Sequence, residues 1–427
     1  MDTLLHKLPR SLVLSLALFL FSAMEPVWAV VEGISGPTFN LTAKADYISA
    51  GDGASIYSWG YANGNGNMQY PGPTLIVNQG DTVTVNLSNQ LPVPVSIVFP
   101  GQQGVVASGG SAGIMTREVA ASNGSVSYTF VASQPGTYLY HSGTQPALQV
   151  EMGLLGTLVV RPSAIDPLHQ AYSHPDTRFD HEYLFLLTEM DPAIHDQVAI
   201  QAAAGSAISA DTSAYHPVLW FINGRTAPDT LLDANVPWLP NQPYNCLPRM
   251  HPGDRLLMRV VNAGRDLHPL HTHGNNFTII AHDGRMLESA PGAGPDLGQS
   301  EFTLRAVPGE TFDTIFEWTG ERLGWDMYGH TSASDPMEPH EYAPDHGKPI
   351  PVVLPNLQDL SFGAHYSGSP FLGNFGALPP GGALINLNAG YFHMWHSHNE
   401  REIVNNDIFP GGMMTMLVIE PPSAPIP

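Results

Sequence analysis

The sequence predicts an all-β protein built from two β-barrel domains, and three observations predict it. Only 13% of the 427 residues are charged, while 42 are Gly and 39 are Pro. That profile suits many short strands joined by tight turns, and it lacks the Lys, Glu, Ala and Leu that long amphipathic helices use. Apolar and polar side chains alternate along Thr82-Val83-Thr84-Val85-Asn86-Leu87, a period of two that marks a half-buried strand. Finally, Gly80-Asp81 followed by that strand is echoed by Pro252-Gly253-Asp254 followed by a strand over residues 256–262. This weak internal repeat is consistent with a duplicated barrel.

The elements follow in chain order. Residues 1–29 read as a secretory signal, with Lys7 and Arg10 in a positive n-region, an apolar stretch over 12–21 and small residues around Val27-Trp28-Ala29. The stretch is too short to span a bilayer stably. A first domain is expected over 36–162, with strands at 74–77, 82–87, 125–132, 136–141 and 156–160. A polar linker follows over 163–180, in which His169 and His174 read as solvated. The second domain is expected over 181–421, starting with the apolar strand Tyr183-Leu184-Phe185-Leu186-Leu187. Residues 329–382 are rich in Pro, Gly and Ser and lie where a shorter connection would suffice. They read as a surface insertion, lid-like, whose His330, His340 and His346 are solvated loop residues.

Charge and cysteine content narrow the function. The formal net charge is −22, and the signal segment carries two charges of each sign, so its removal leaves that value unchanged. Such a surface repels nucleic acid and anionic lipid and tolerates cations. A secreted or periplasmic location is expected, with no membrane span after signal cleavage. The single cysteine, Cys246, permits no internal disulfide. It has no histidine beside it and reads as a structural thiol.

Histidine spacing points to a metal. His268-Pro269-Leu270-His271-Thr272-His273-Gly274 is one segment, His393-Met394-Trp395-His396-Ser397-His398 another, and His141 after Tyr140 a third contribution. Residues i and i+2 of a strand share a face. His271 and His273 can therefore reach one ion together, as can His396 and His398, and neutral imidazole suits copper among the first-row metals.

With those segments in view, the chain resembles the multicopper oxidase family. The features that carry the resemblance are Pro71-Gly72-Pro73-Thr74 with Gly80-Asp81, Gly136-Thr137-Tyr138-Leu139-Tyr140-His141-Ser142, Gly153-Leu154-Leu155-Gly156-Thr157-Leu158, the segment 268–274, and His396-Ser397-His398 followed by Gly411-Gly412-Met413. The resemblance implies cupredoxin-like Greek-key β-barrels of the two-domain type, related to copper nitrite reductases, and trimers with copper between domains of neighbouring subunits.

The family pattern has four His-x-His segments for a copper cluster, plus a blue copper bound by two His, a Cys and often a Met. Here the first segment reads Val98-Phe99-Pro100-Gly101 and has lost both ligands. The second reads His141-Ser142-Gly143 and keeps one. The third is whole: His271 and His273 match cluster ligands and His268 a blue-copper ligand. In the fourth, Ser397 stands where the cysteine belongs, between His396 and His398, and Glu402 falls where the second blue-copper histidine is expected. A serine hydroxyl stays protonated and is a poor substitute for the thiolate of a blue copper.

The expectation is thus a copper oxidoreductase with a reduced site held by His141, His271, His273, His396 and His398, with His268 a further candidate. Glu400 and Glu402 are candidates for acid or base work, and Met413 is expected to pack in the core. A small-molecule or metal-ion substrate and dioxygen are the expected partners, and laccase-type chemistry is disfavoured. Two other readings stand beside it: a non-catalytic exported copper-binding or scaffold protein, and a zinc site of hydrolytic type.

Overall fold

The two Gly-Asp turns fold alike. Gly80 and Gly253 both adopt positive φ, 92° and 85°, which glycine does without a Cβ penalty. In each turn the aspartate accepts a hydrogen bond from the amide three residues earlier: Asp81 from Asn78 and Asp254 from His251, both at 2.8 Å. Each turn launches a strand that runs parallel to the first long strand of its barrel. The computed structural model describes residues 31–426, apart from 123, 164, 165, 167, 352–367 and 371–390. Residues 1–29, read above as a secretory signal, lie outside those residues. So does part of the insertion 329–382, of which 329–351 and 368–370 are described.

The first barrel contains β1 (Thr38–Ser49), β2 (Ser55–Asn63), β3 (Leu75–Asn78), β4 (Thr82–Asn89), β5 (Ser125–Val131), β6 (Gly136–His141) and β7 (Leu155–Arg161). One sheet runs β2-β1-β4-β5 with Val106–Gly109 at its edge; the other runs Ile34–Ser35, β3, β7, β6. Alternation dictates the packing. Val83, Val85 and Leu87 of β4 are buried while Thr82 and Ser88 are exposed. Those valines meet Phe39, Leu41, Tyr128, Leu75, Tyr140, Leu158 and Val160 in one apolar core drawn from both sheets.

The second barrel contains β8 (His181–Met190), β9 (Leu219–Ile222), β10 (Arg255–Asn262), β11 (His268–Thr272), β12 (Phe277–His282), β13 (Thr303–Ala306), β14 (Thr311–Glu317), β15 (Tyr391–Ser397) and β16 (Met414–Ile419). One sheet runs β9-β8-β10-β14-β12, and the facing sheet runs Arg249–Met250, β16, β15, β11, β13. Phe185, Met258, Val260 and Phe316 from the first meet Leu270, Leu304, Trp395 and Leu417 from the second. One helix, α1 (Pro192–Ala203), follows β8, with Asp191 capping the amide of Ala193. Among the described residues no helix is long and apolar enough to cross a membrane.

The barrels are joined through buried charge. Arg161 at the end of β7 makes two hydrogen bonds of 2.6 Å to Glu182 of β8. Arg259 of β10 donates to the same carboxylate and to Asp313 of β14. Thr137 of β6 and Tyr172 also donate to Asp313. Burial alone would raise the Glu182 pKa, but the two guanidinium charges outweigh it and hold it down to about 2. The segment expected as a polar linker is therefore docked: Tyr172, Ala171 and Phe179 are buried against Leu257, Ile280 and Ile315 of the second barrel.

Breaking this network leaves a carboxylate buried with fewer partners. Arg259→Met is expected to cost about 3–5 kcal/mol of stability, read by chemical denaturation. Glu182 has a depressed folded pKa, so its contribution is present above the unfolded value of 4.5 and is lost as pH falls from there through about 2. The wild-type chain should show that acid loss in denaturation series, and Glu182→Gln should flatten it.

Candidate metal centre

Register places the four histidines. Strands β11 and β15 pair antiparallel with Leu270 opposite Ser397, His271 opposite His396 and Thr272 opposite Trp395. His273 continues that pairing through its amide to Met394 O (3.3 Å), and the His398 amide donates to Pro269 O (2.8 Å). Because side chains alternate, His271, His273, His396 and His398 share one face, while Leu270, Trp395 and Ser397 point into the core. The imidazoles form a continuous patch. Ring centroids lie 4.9 Å apart for His271–His273, 5.4 Å for His271–His396, 4.7 Å for His271–His398 and 5.2 Å for His273–His396. The potential ligand atoms of His271, His273 and His396 lie within 4.8 Å of one another. His398 is outside that set of ligand atoms; it stands exposed at the strand end with its ring beside His271 and opens the patch to solvent.

Hydrogen bonds set the tautomers. His396 Nδ1 lies 2.7 Å from Ser397 O. A carbonyl only accepts, so Nδ1 carries the proton and Nε2 of the neutral ring presents a lone pair. That lone pair faces His273 Nε2 at 3.3 Å. Two nitrogens so placed need a proton or a metal ion between them. Thr303 Oγ1 meets His271 Nδ1 at 2.7 Å, the kind of outer contact that fixes a ligating ring. Burial, and then the neighbouring His273, His396 and His398, push His271 down to about 4. Burial also lowers His396. Both rings are therefore neutral near pH 7, as ligation requires. A set of unprotonated imidazoles fits a borderline transition-metal ion such as copper.

His141 is prepared the same way but stands outside the group. Its Nδ1 lies 2.9 Å from Ser142 O, the same contact with the following carbonyl that His396 makes, and burial lowers its pKa. Its strand end pairs with Val98, one of the two positions where the family pattern carries its first histidines. Among the described residues, His141 is not in the set whose ligand atoms lie within 4.8 Å of one another.

The positions matching a blue-copper site converge in the core and hold one another. His268 is fully buried. Its Nδ1 lies 3.0 Å from Glu402 Oε2 and its Nε2 lies 2.8 Å from Glu189 Oε2. Ser397 Oγ donates to Glu402 Oε2 at 2.6 Å, and Asn399 Nδ2 donates to Glu402 Oε1 at 2.9 Å. Met413 is buried beside them, its amide on Glu402 O and its carbonyl accepting from Ser397 N. Both His268 nitrogens thus face carboxylates. Burial opposes its charge, yet Glu189 and Glu402 push it up to about 9. An imidazolium donating from both nitrogens has no lone pair for a metal. Glu402 is committed to this cluster. Glu400 is exposed, and its charge reaches His396.

Cys246 lies elsewhere in the core with its Sγ on Ile222 O, and burial pushes the thiol up to about 12. Four histidines expected to be solvated are part-buried: His169, which pairs with Asp166, and His174 in the docked segment, and His330 and His346 in the inserted loop. His330 and His346 are paired with Asp326 and Glu341, because the inserted loop folds back on itself there. Sequence reading also missed Glu189 and Thr303. A signal existed for Glu189: it follows the apolar run 183–187 within β8, every residue of which is buried, and a buried charge implies a partner.

Known proteins share parts of this sequence and its fold. Residues 61–165 match the family model for multicopper oxidases. The chain is 24% identical over 271 residues to a probable nitrite reductase-hydroxylamine oxidoreductase fusion protein of Kuenenia stuttgartiensis, covering 61% of this chain and 28% of that protein. It is 26% identical over 290 residues to copper resistance protein A of Pseudomonas syringae pv. tomato, covering 60% and 42%. The chain spans less than half the length of either. Among solved structures it is similar to a blue copper oxidase from Nitrosomonas europaea, with a TM-score of 0.57 at 18% identity over 89% of this chain and 85% of that one. The fold is therefore all-β, of cupredoxin-like barrels, as the motif resemblance implied.

The buried imidazolium makes a pH prediction. Its folded pKa is raised, so its stabilisation is fully present below the unfolded value of 6.5 and is lost as pH rises through about 9. Thermal midpoints of the wild type should fall across that window. His268→Gln should be less stable by about 3–5 kcal/mol at pH 6 and should show no such fall, while its metal content stays that of the wild type.

Proposed function

We propose that this protein is an exported, copper-binding oxidoreductase of multicopper-oxidase type, with copper held by histidine alone and no cysteine-ligated blue copper. One observation carries the reading: the lone pair of His396 Nε2 faces His273 Nε2 at 3.3 Å inside a patch of four imidazoles. His271, His273 and His396 would hold the ion, with His398 beside them at the open rim. Bound there, copper would supply a one-electron redox centre and a Lewis acid. Thr303 orients His271, Ser397 O orients His396, and exposed Glu400 places a carboxylate near the rim where protons can be exchanged with solvent. His398 leaves the patch open on that side to a small-molecule or metal-ion substrate and to dioxygen.

His141 shares the tautomer of His396 yet lies outside the group within one chain. This supports a site completed between copies, in keeping with the trimers that the family resemblance implies. A second reading, a non-catalytic copper carrier of the periplasm or extracellular space, is favoured by one observation. The positions of the usual electron-entry copper are occupied by the hydrogen-bonded Ser397, Glu402 and His268 cluster.

The test is metal content after copper loading, with visible and EPR spectra. The wild type should retain copper without an intense blue band, and His396→Ala with His398→Ala should lose it. Absence of copper in the wild type would sink the proposal. Oxygen uptake with one-electron donors separates the oxidoreductase from the carrier, which would bind copper without turnover. Light scattering of wild type and His141→Ala reports whether the site is shared between copies. Thr303→Val, which removes the contact to His271 Nδ1, should weaken copper affinity about 10–100-fold, read by competition with a chromogenic chelator.

A further inference from the structure

We infer that the inserted loop carries a second metal site, separate from the histidine patch, formed by Asp326, His330, Glu341 and His346 and suited to a divalent ion of the zinc class.

The four residues each present one ligand atom, all within 4.8 Å of one another. His330 Nδ1 lies 3.1 Å from Asp326 Oδ2 and 3.2 Å from Glu341 Oε1. His346 Nδ1 lies 2.8 Å from the same Glu341 oxygen and 3.7 Å from the same Asp326 oxygen. Two imidazole nitrogens and two carboxylate oxygens thus converge on one point. The group is sequestered: the Asp326 side chain is fully buried, and those of Glu341, His346 and His330 are 3%, 8% and 14% exposed. Buried carboxylates need a compensating charge.

The tautomer of His346 leaves Nδ1 as the nitrogen that faces the centre. His346 Nε2 lies 2.9 Å from Asp335 O. That carbonyl can only accept, so Nε2 carries the proton. Without an ion, a second proton on Nδ1 serves Glu341; a bound cation would replace that proton and take the Nδ1 lone pair. His330 Nδ1 is shared between two carboxylates, and one proton cannot serve both linearly. With two neutral imidazoles the site carries two negative charges, which a divalent ion neutralises.

The surroundings hold the ligands in place. Asp326 Oδ1 accepts from the Tyr328 amide and Oδ2 from the Gly347 amide, at 2.9 and 2.7 Å. Glu341 Oε2 accepts from the Glu338 amide at 2.9 Å, and Tyr328 stacks on the His330 ring. Each carboxylate keeps an oxygen for the centre while its other contacts fix its direction, as in built metal sites. Four protein ligands of mixed nitrogen and oxygen suit zinc in a closed, structural role. The stretch they tie together, residues 326–346, has little regular structure beyond a single 3-10 turn at Ala343–Asp345. An ion there would clamp this irregular loop, so the site is structural and no redox step is assigned to it. It shares no residue with the copper patch and stands independently of the proposed activity.

The test uses the full chain with His396→Ala and His398→Ala, which disables the patch, stripped with chelator and then exposed to zinc alone. This protein should retain about one zinc per chain through gel filtration. Zinc should raise its thermal midpoint and slow proteolytic cleavage between residues 320 and 350. Adding Glu341→Gln and His346→Gln should abolish retention. Failure of the chain with intact ligands to retain zinc, or equal retention after those substitutions, would overturn the site and leave an ion-paired cluster. Should the substituted chain not fold, zinc-edge X-ray absorption of the intact one decides. Nitrogen and oxygen ligation with two imidazoles supports the site, and any other ligand set overturns it.

Discussion

One strand register governs the second barrel and the chemistry on it. With His271 opposite His396, strand alternation sends two sets of side chains to opposite faces at once. Outward go the four imidazoles of the patch. Inward go His268, Leu270, Trp395 and Ser397, where Trp395 packs on Phe185 and Phe316 and Ser397 reaches Glu402. A slip of one residue would bury the imidazoles and expose Trp395 together. The histidine patch is thus held in register by the apolar core behind it, and neither face can be altered without the other.

Strand β8 supplies the second constraint. It is buried along its whole length, yet it carries Glu182 near one end and Glu189 near the other. Glu182 is the node of the Arg161–Arg259–Asp313 network that joins the barrels, and Glu189 is one of the two carboxylates around His268. Fully buried charge is tolerated only where paired and hydrogen-bonded, and here the pairs tie β8 to the first barrel at one end and to β11 at the other. With a single buried cysteine, the chain achieves through these pairs, together with its apolar cores, what disulfides do in many exported proteins.

The same logic accounts for the departure from a blue-copper site. Ser397 and Glu402 stand where a thiolate and an imidazole are expected, but the polar groups there are satisfied. Glu402 accepts from Ser397 and Asn399, and His268 is gripped by two carboxylates. The positions that match a blue-copper site form a closed hydrogen-bonded cluster, and the imidazole patch lies a few residues away on the other face of the same strands.

The fold and the patch were legible in the sequence because they rest on local patterns. Period-two alternation, Gly-Asp turns and His-x-His spacing each express strand geometry directly, so β4, β10 and the pairing of His271 with His273 and of His396 with His398 could be read without a structure. Long-range placement could not. Nothing local says that Glu189 and Glu402, far apart in the chain, meet the same imidazole, that His141 stays outside the group, or that His330 and His346 leave solvent for Asp326 and Glu341. Those outcomes depend on which strands become neighbours and on how a loop closes, and burial then decides which charges must find partners. The sequence by itself determined the strands, their faces and the donor atoms available. Only the tertiary structure decided which donors share a site and which are locked in salt bridges, because desolvation and pairing act between residues that the chain order keeps apart.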